Sequence, residues 1–258
     1  MVARPAPTVH PFPDVVSLGR AAAHELCRVV ASALAIRPHC HIVLSGGRAP
    51  RELYRALAAD FREEIPWDRM HLFWTDERYV PEDDPRSNYR LAREALLDHV
   101  PVPRHNVHPM PTDLHDSEDA AEAYAETLRA HFSGPWPRFD LVLLGLGSDG
   151  HTASLFPGSR AVAEKERWVM AVRAPVKPSR RLTLTLPAIN RARNVWFLVS
   201  GTEKASALRS VLMESPQPQR CPAAGVRPIN GSVTWWTDSA ASARLGLPGR
   251  PPNRPLLE

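Results

Sequence analysis

The chain has 258 residues, 43% hydrophobic and 23% charged, which suits one large α/β core with an ordinary globular surface. Its formal charge of +4 rests on scattered arginines, with only Lys165, Lys177 and Lys204 as lysines, and no basic stripe interleaved with aromatics marks a nucleic-acid groove. No run approaches the roughly 18–20 apolar residues of a membrane-spanning helix, and MVARPAPTVHPFPDVV carries prolines where a secretory signal has its apolar stretch.

In chain order, Asp14 can cap a helix over 15–36, with Val15, Leu18, Ala22, Leu26, Val29 and Val30 at helical spacing. HIVLS (41–45) reads as a short buried strand, ending in Gly46-Gly47. Just before it, strand alternation turns Cys40 away from His39 and His41, so the His-Cys-His tripeptide is not expected to hold a metal. A helix over 51–61 begins near Pro50, and MHLFWT (70–75) is the second strand. A proline- and acid-rich loop follows, and Ser87 then caps a helix over 88–98. Another helix runs from Ser117 to His131, and FDLVLLGLG (139–147) is the most hydrophobic strand. Further strands are expected at 168–172, 182–186, 194–199 and 232–237, with helices at 202–213 and 238–244. Residues 246–258 read as a loose tail. Strands alternating with helices of this length imply a mainly parallel sheet covered by helices on both faces, in a single α/β domain.

Cys27, Cys40 and Cys221 are an odd number spread far apart, which favours a reducing compartment, the cytoplasm, over a disulfide framework. Three strand ends carry polar, conformationally special sequence: SGG at 45–47, TDER at 75–78 and GLGSDGH at 145–151. In open parallel sheets, ligands sit beyond the carboxyl ends of the strands, so these turns point to a composite pocket. Ser45, Gly46 and Gly47 open a helix, where backbone amides can meet an anion. Their order matches neither a dinucleotide nor a nucleoside-triphosphate loop, and a sugar phosphate suits it. Asp76 follows a strand directly and faces the crevice, Arg78 can polarise a carbonyl or hold a carboxylate, and Glu77 is read as a charge facing water. His151 follows the glycine turns of the most apolar strand, a position suited to a general base. Asp149 either orients His151 or caps a helix beginning at HTASLF; the cap is favoured.

LSGGRAPRELY, WTDERYVP with SNY, FDLVLLGLGSDGHTASLFPGS, RLTLTLPAIN and VSGTEKASAL, in this order, resemble the 6-phosphogluconolactonase family within the glucosamine-6-phosphate isomerase group. The resemblance implies a Rossmann-like α/β fold without nucleotide, metal or other cofactor. It also implies hydrolysis of 6-phospho-D-glucono-1,5-lactone to 6-phosphogluconate in the oxidative pentose phosphate pathway. The family's histidine falls on His151 and its aspartate and arginine on Asp76 and Arg78. Its phosphate-loop serine and glycines fall on Ser45, Gly46 and Gly47, and its phosphate-binding cations on Arg181 and Lys204. The family's loop often continues Ser-Thr-Pro, whereas this chain has Arg48-Ala49-Pro50, which removes hydroxyl donors and adds a guanidinium.

Isomerising deaminases of the group resemble a site with an extra carboxylate after the DGH-type turn; here Phe156 stands at that place. An apolar ring cannot transfer a proton, so lactone hydrolysis is the favoured expectation, with an isomerase or deaminase and a noncatalytic sugar-phosphate sensor as alternatives. Turn amides near Gly147 are expected to help Arg78 stabilise the oxyanion. The expected partner is a small sugar phosphate, with neither nucleic acid nor membrane. The expected assembly is a monomer, with a dimer as the alternative.

Overall fold

A computed structural model describes residues 8–246, so the tail expected over 246–258 lies, apart from Gly246, outside the described residues. The strands are β1 (Thr8–Phe12), β2 (Cys40–Leu44), β3 (Met70–Trp74), β4 (Asp76–Arg78), β5 (Leu141–Leu144), β6 (Val169–Arg173), β7 (Arg180–Leu184), β8 (Asn194–Val199) and β9 (Ser232–Asp238). The helices are α1 (Val15–Leu34), α2 (Arg48–Asp60), α3 (Asn88–Ala95), α4 (Ser117–His131), α5 (Leu186–Ile189), α6 (Ala205–Arg209) and α7 (Ser239–Ser242).

Six strands form one wholly parallel sheet in the order β1-β9-β8-β5-β2-β3. Every residue of β5 is buried, as its unbroken apolar run requires of a central parallel strand covered on both faces. The chain moves outward from β2 to β3 and then returns to the other side of β2 for β5. The order therefore reverses between β2 and β5, and a crevice opens beyond their carboxyl ends.

β4, β7 and β6 form a second, antiparallel sheet. Thr75 joins the two sheets: its N–H donates to Leu44 O at 2.9 Å, and its carbonyl accepts from Leu184 N at 2.8 Å. This junction aims the residues that follow β3 across the crevice. Asp14 caps α1 through a reciprocal bond with Ser17, and Ser87 caps α3 by accepting from Arg90 N at 3.1 Å. Trp74, Tyr54, Tyr124 and Phe73 are fully buried around the sheet. The Tyr124 hydroxyl accepts from Trp74 N at 2.8 Å.

β1 and β4 were not expected from local sequence. Pro11 weakens β1 as a strand signal, yet β1 is an edge strand, where a missing donor is tolerated. β4 is three charged residues, and only pairing with β7 makes it a strand. The helix expected over 202–213 is a 3₁₀ turn (Thr202–Lys204), α6 and a π-turn (Ser210–Glu214). No helix begins at HTASLF; Thr152 and Leu155 form a tight bridged turn instead. Among the described residues no helix is long and apolar enough to cross a membrane.

Candidate active site

Ser45, Gly46, Gly47, Arg48, Asp76, Arg78, Gly147, His151, Arg181 and Lys204 all line one cavity of about 450 Å³ in the crevice between β2 and β5. Asn88 and Ala153, not singled out in the sequence, also line it, as does Phe156. The cations outnumber the acids, Asp76 and Glu203, so the cavity favours an anion.

The loop after β5 holds His151. Asp149 Oδ1 lies 2.5 Å from His151 Nδ1 and also accepts from His151 N at 3.1 Å. Asp149 therefore orients the imidazole and caps no helix, correcting the favoured expectation: the short loop brings its carboxylate to a ring two residues away. With Nδ1–H donated to this carboxylate, the inferred tautomer leaves Nε2 as the lone pair. Burial opposes ionisation of Asp149, but the His151 amide and ring outweigh it and hold the carboxyl below its ordinary range. Phe156 packs against the imidazole, with ring centroids 4.6 Å apart. Gly147 N donates to His151 O at 2.7 Å, so this particular amide is already paired within the turn. A Cβ at Gly147 would overlap both His151 Nδ1 and Asp149 Oδ1, so the close approach requires glycine.

Strand alternation places Asp76 and Arg78 on one face of β4, toward the cavity, and Glu77 on the other. Asp76 Oδ2 accepts from Ser154 Oγ at 2.7 Å and Oδ1 from Thr75 Oγ1 at 3.2 Å. Asp76 is thus held by hydroxyls, while Asp149 holds His151. Glu77 does not face water: it is 2% exposed and accepts from the amides of Arg78 (2.6 Å), Asn88 (2.8 Å) and Tyr89 (2.7 Å). Burial pushes its carboxyl up, against the pull of those three donors. Glu77 therefore ties β4 to the start of α3 and so positions the Asp76–Arg78 face.

Arg78 pairs with Arg181 across β4 and β7. Arg78 Nη1 donates to Arg86 O at 2.6 Å, and Arg181 Nε donates to Pro178 O at 2.7 Å. Burial, and after it the neighbouring Arg78, draws Arg181 below its ordinary value. Two guanidiniums side by side are relieved by an anionic ligand.

Across the cavity α2 starts at Gly47 with no side-chain cap. Pro50 has no N–H, so Arg48 and Ala49, both lining the cavity, carry the first-turn N–H groups that lack a partner within the helix, an arrangement suited to an anion. The Tyr54 hydroxyl clamps the Ser45 backbone, accepting from its N–H at 2.9 Å and donating to its carbonyl at 2.8 Å. Asn88 Nδ2 donates to Asp76 O at 2.8 Å. Ser45 Oγ, Arg78 Nε and Asn88 Oδ1 are buried without partners, a cost that a polar ligand would offset. Asn88 lies within the SNY motif and Ser154 within GLGSDGHTASLFPGS, but neither stood out there as a site residue.

A family model described as glucosamine-6-phosphate isomerases/6-phosphogluconolactonase matches residues 13–235. The chain is 45% identical to the 6-phosphogluconolactonase of Synechocystis sp. over 219 residues, 84% of this chain and 89% of that one. It is 45% identical to the 6-phosphogluconolactonase of Mycobacterium tuberculosis over 241 residues, covering 91% and 96% of the two chains. Its fold superposes on the solved 6-phosphogluconolactonase of Trypanosoma brucei with a TM-score of 0.81 at 33% identity, covering 93% of this chain and 99% of that one.

Proposed function

The chain belongs to the glucosamine-6-phosphate isomerase/6-phosphogluconolactonase family, and on that premise we propose that it hydrolyses 6-phospho-D-glucono-1,5-lactone to 6-phosphogluconate, with His151 as general base. The Asp149–His151 pair at the wall of a cation-rich cavity is the observation that carries this reading. The α2 amides, Arg181 and Lys204 hold the 6-phosphate, which places the lactone carbonyl toward His151. Water attacks C1 as His151 Nε2 takes its proton, and Asp149 stabilises the imidazolium that forms. Arg78 faces the oxygen that becomes negative. Collapse of the tetrahedral intermediate breaks the C1–ring-oxygen bond. The proton returns from His151 to the departing oxygen, giving the open-chain acid. Asp76, fixed by Ser154, holds sugar hydroxyls. No cofactor enters this chemistry.

Phe156 supports hydrolysis over isomerisation or deamination, because its ring fills the wall beside His151 where a second acid–base group would stand. The working unit proposed is a monomer. The three unpaired cysteines support the cytoplasm as its setting. The test is proton release from freshly generated lactone by wild type and His151→Ala, with spontaneous opening subtracted. General-base loss should lower turnover about 10²–10⁴-fold. Equal rates for the two proteins would remove His151 from the mechanism. No release above the spontaneous rate by wild type would reject the lactonase reading.

A further inference from the structure

At the other end of the sheet from the cavity, histidines from separate segments converge. His71 is the second residue of β3 and lies five residues before Asp76, so roughly 16 Å of extended strand separates the two ends. The parallel register sets His41 beside His71. His108 N donates to Leu72 O at 2.9 Å, which adds its segment to the outer edge of β3. His131 is the last residue of α4.

We propose that His71, His108 and His131 form a binding site for a borderline divalent transition metal, Zn²⁺ first among them, with water completing a four-coordinate shell. His71 Nδ1 and His108 Nε2 are 3.1 Å apart. Two nitrogens on tetrahedral zinc at ordinary bond lengths stand about 3.3 Å apart. One nitrogen from each of the three rings lies within 4.8 Å of the others, so small side-chain rotations bring all three onto one ion. His131 Nδ1 lies 2.9 Å from Thr127 O. Donation of its N–H to that carbonyl leaves Nε2 as the lone pair and fixes the ring, the usual support of a ligating histidine. Phe73 stacks on His108 with centroids 4.7 Å apart and shields one side.

A metal-free hydrogen bond between His71 and His108 would account for that pair alone; it leaves the third, pre-oriented ring unexplained. The site is distinct from the His39-Cys40-His41 tripeptide, whose Cys40 is wholly buried. A bound ion would tie β3, the segment after it and α4 together, so its effect is on stability and not on the lactone.

The test uses the tag-free, chelator-stripped full chain with Co²⁺ and Zn²⁺ as probes. One Co²⁺ per chain should bind with the strong visible absorption of four-coordinate cobalt, and Zn²⁺ should displace it. Zn²⁺ at a hundredfold excess over Kd should raise Tm by about 5–10 °C. His71→Gln, His108→Gln and His131→Gln should each weaken binding at least tenfold, whereas His39→Gln should not. Lactone hydrolysis should be the same with and without metal, so this result stands apart from that of His151→Ala. Should a substituted ring prove necessary for folding, the wild-type cobalt spectrum still decides. Weak six-coordinate absorption, no saturation at one ion per chain, or binding unchanged in all three variants would overturn the site.

Discussion

Asp149→Asn separates the charge of the Asp149–His151 pair from its geometry. An asparagine carbonyl can still accept Nδ1–H and keep Nε2 facing the cavity, but the negative charge that stabilises the imidazolium is gone. A hydrogen bond to a charged group contributes about 1.5–3 kcal/mol. The His151 and Asp149 side chains are 32% and 44% exposed, so solvent screens the pair and the lower end of that range applies. At about 1.4 kcal/mol per decade, Asp149→Asn should lower kcat roughly tenfold. Asp149→Ala frees the ring as well and should cost about 10–100-fold, still less than His151→Ala at about 10²–10⁴-fold. Initial rates of acid release from fresh lactone would rank the three, with thermal melts confirming that each is folded. An Asp149→Asn enzyme with wild-type kcat would refute the reasoning and leave His151 acting without an electrostatic partner.

Lys204→Ala should raise KM about ten- to a hundredfold with a smaller change in kcat, from loss of one charged phosphate contact. Unchanged KM in steady-state kinetics would place the phosphate elsewhere. Leu143 is wholly buried in the central strand, and Leu143→Ala should destabilise the fold by about 2–5 kcal/mol in chemical denaturation. His71 and His108 stand below the ordinary histidine value of 6.5, facing His41, His131 and His105. Between pH 6.5 and those values the unfolded chain binds more protons than the folded one. Stability of the metal-stripped chain should therefore be fullest above pH 6.5 and fall as pH drops through about 4 for His71 and about 3 for His108. His108→Gln should flatten that fall, and Tm against pH in both proteins checks it.

Much of this architecture is legible along the chain. The run Leu141–Leu144, apolar at every position, identifies a strand buried on both faces, and Asp14 and Ser87 mark helix starts through local hydrogen bonds. The glycine turns at 46–47 and 145–150 locate the pocket because backbone approach and strand direction are local properties. The triplet Asp76–Arg78 is different. Its strand exists only through pairing with β7, more than a hundred residues later, and that pairing sends Glu77 inward while Asp76 and Arg78 face the cavity.

The same holds for the finer parts of the site. Ser154 reaches Asp76 across 78 residues, and the first turn of α3 presents Asn88 beside Gly46, contacts with no periodicity to announce them. His71, His108 and His131 are equally silent in sequence, being spaced by tens of residues on a strand, a loop and a helix end. Hydrophobic period, capping and turn chemistry act over a few residues, and so the sequence by itself determined most of the elements, their order and the end of the sheet where the cavity opens. Which side chains meet depends on sheet order and on the Thr75 junction, where long-range hydrogen bonds set angles that no local segment encodes, and only the tertiary structure decided them.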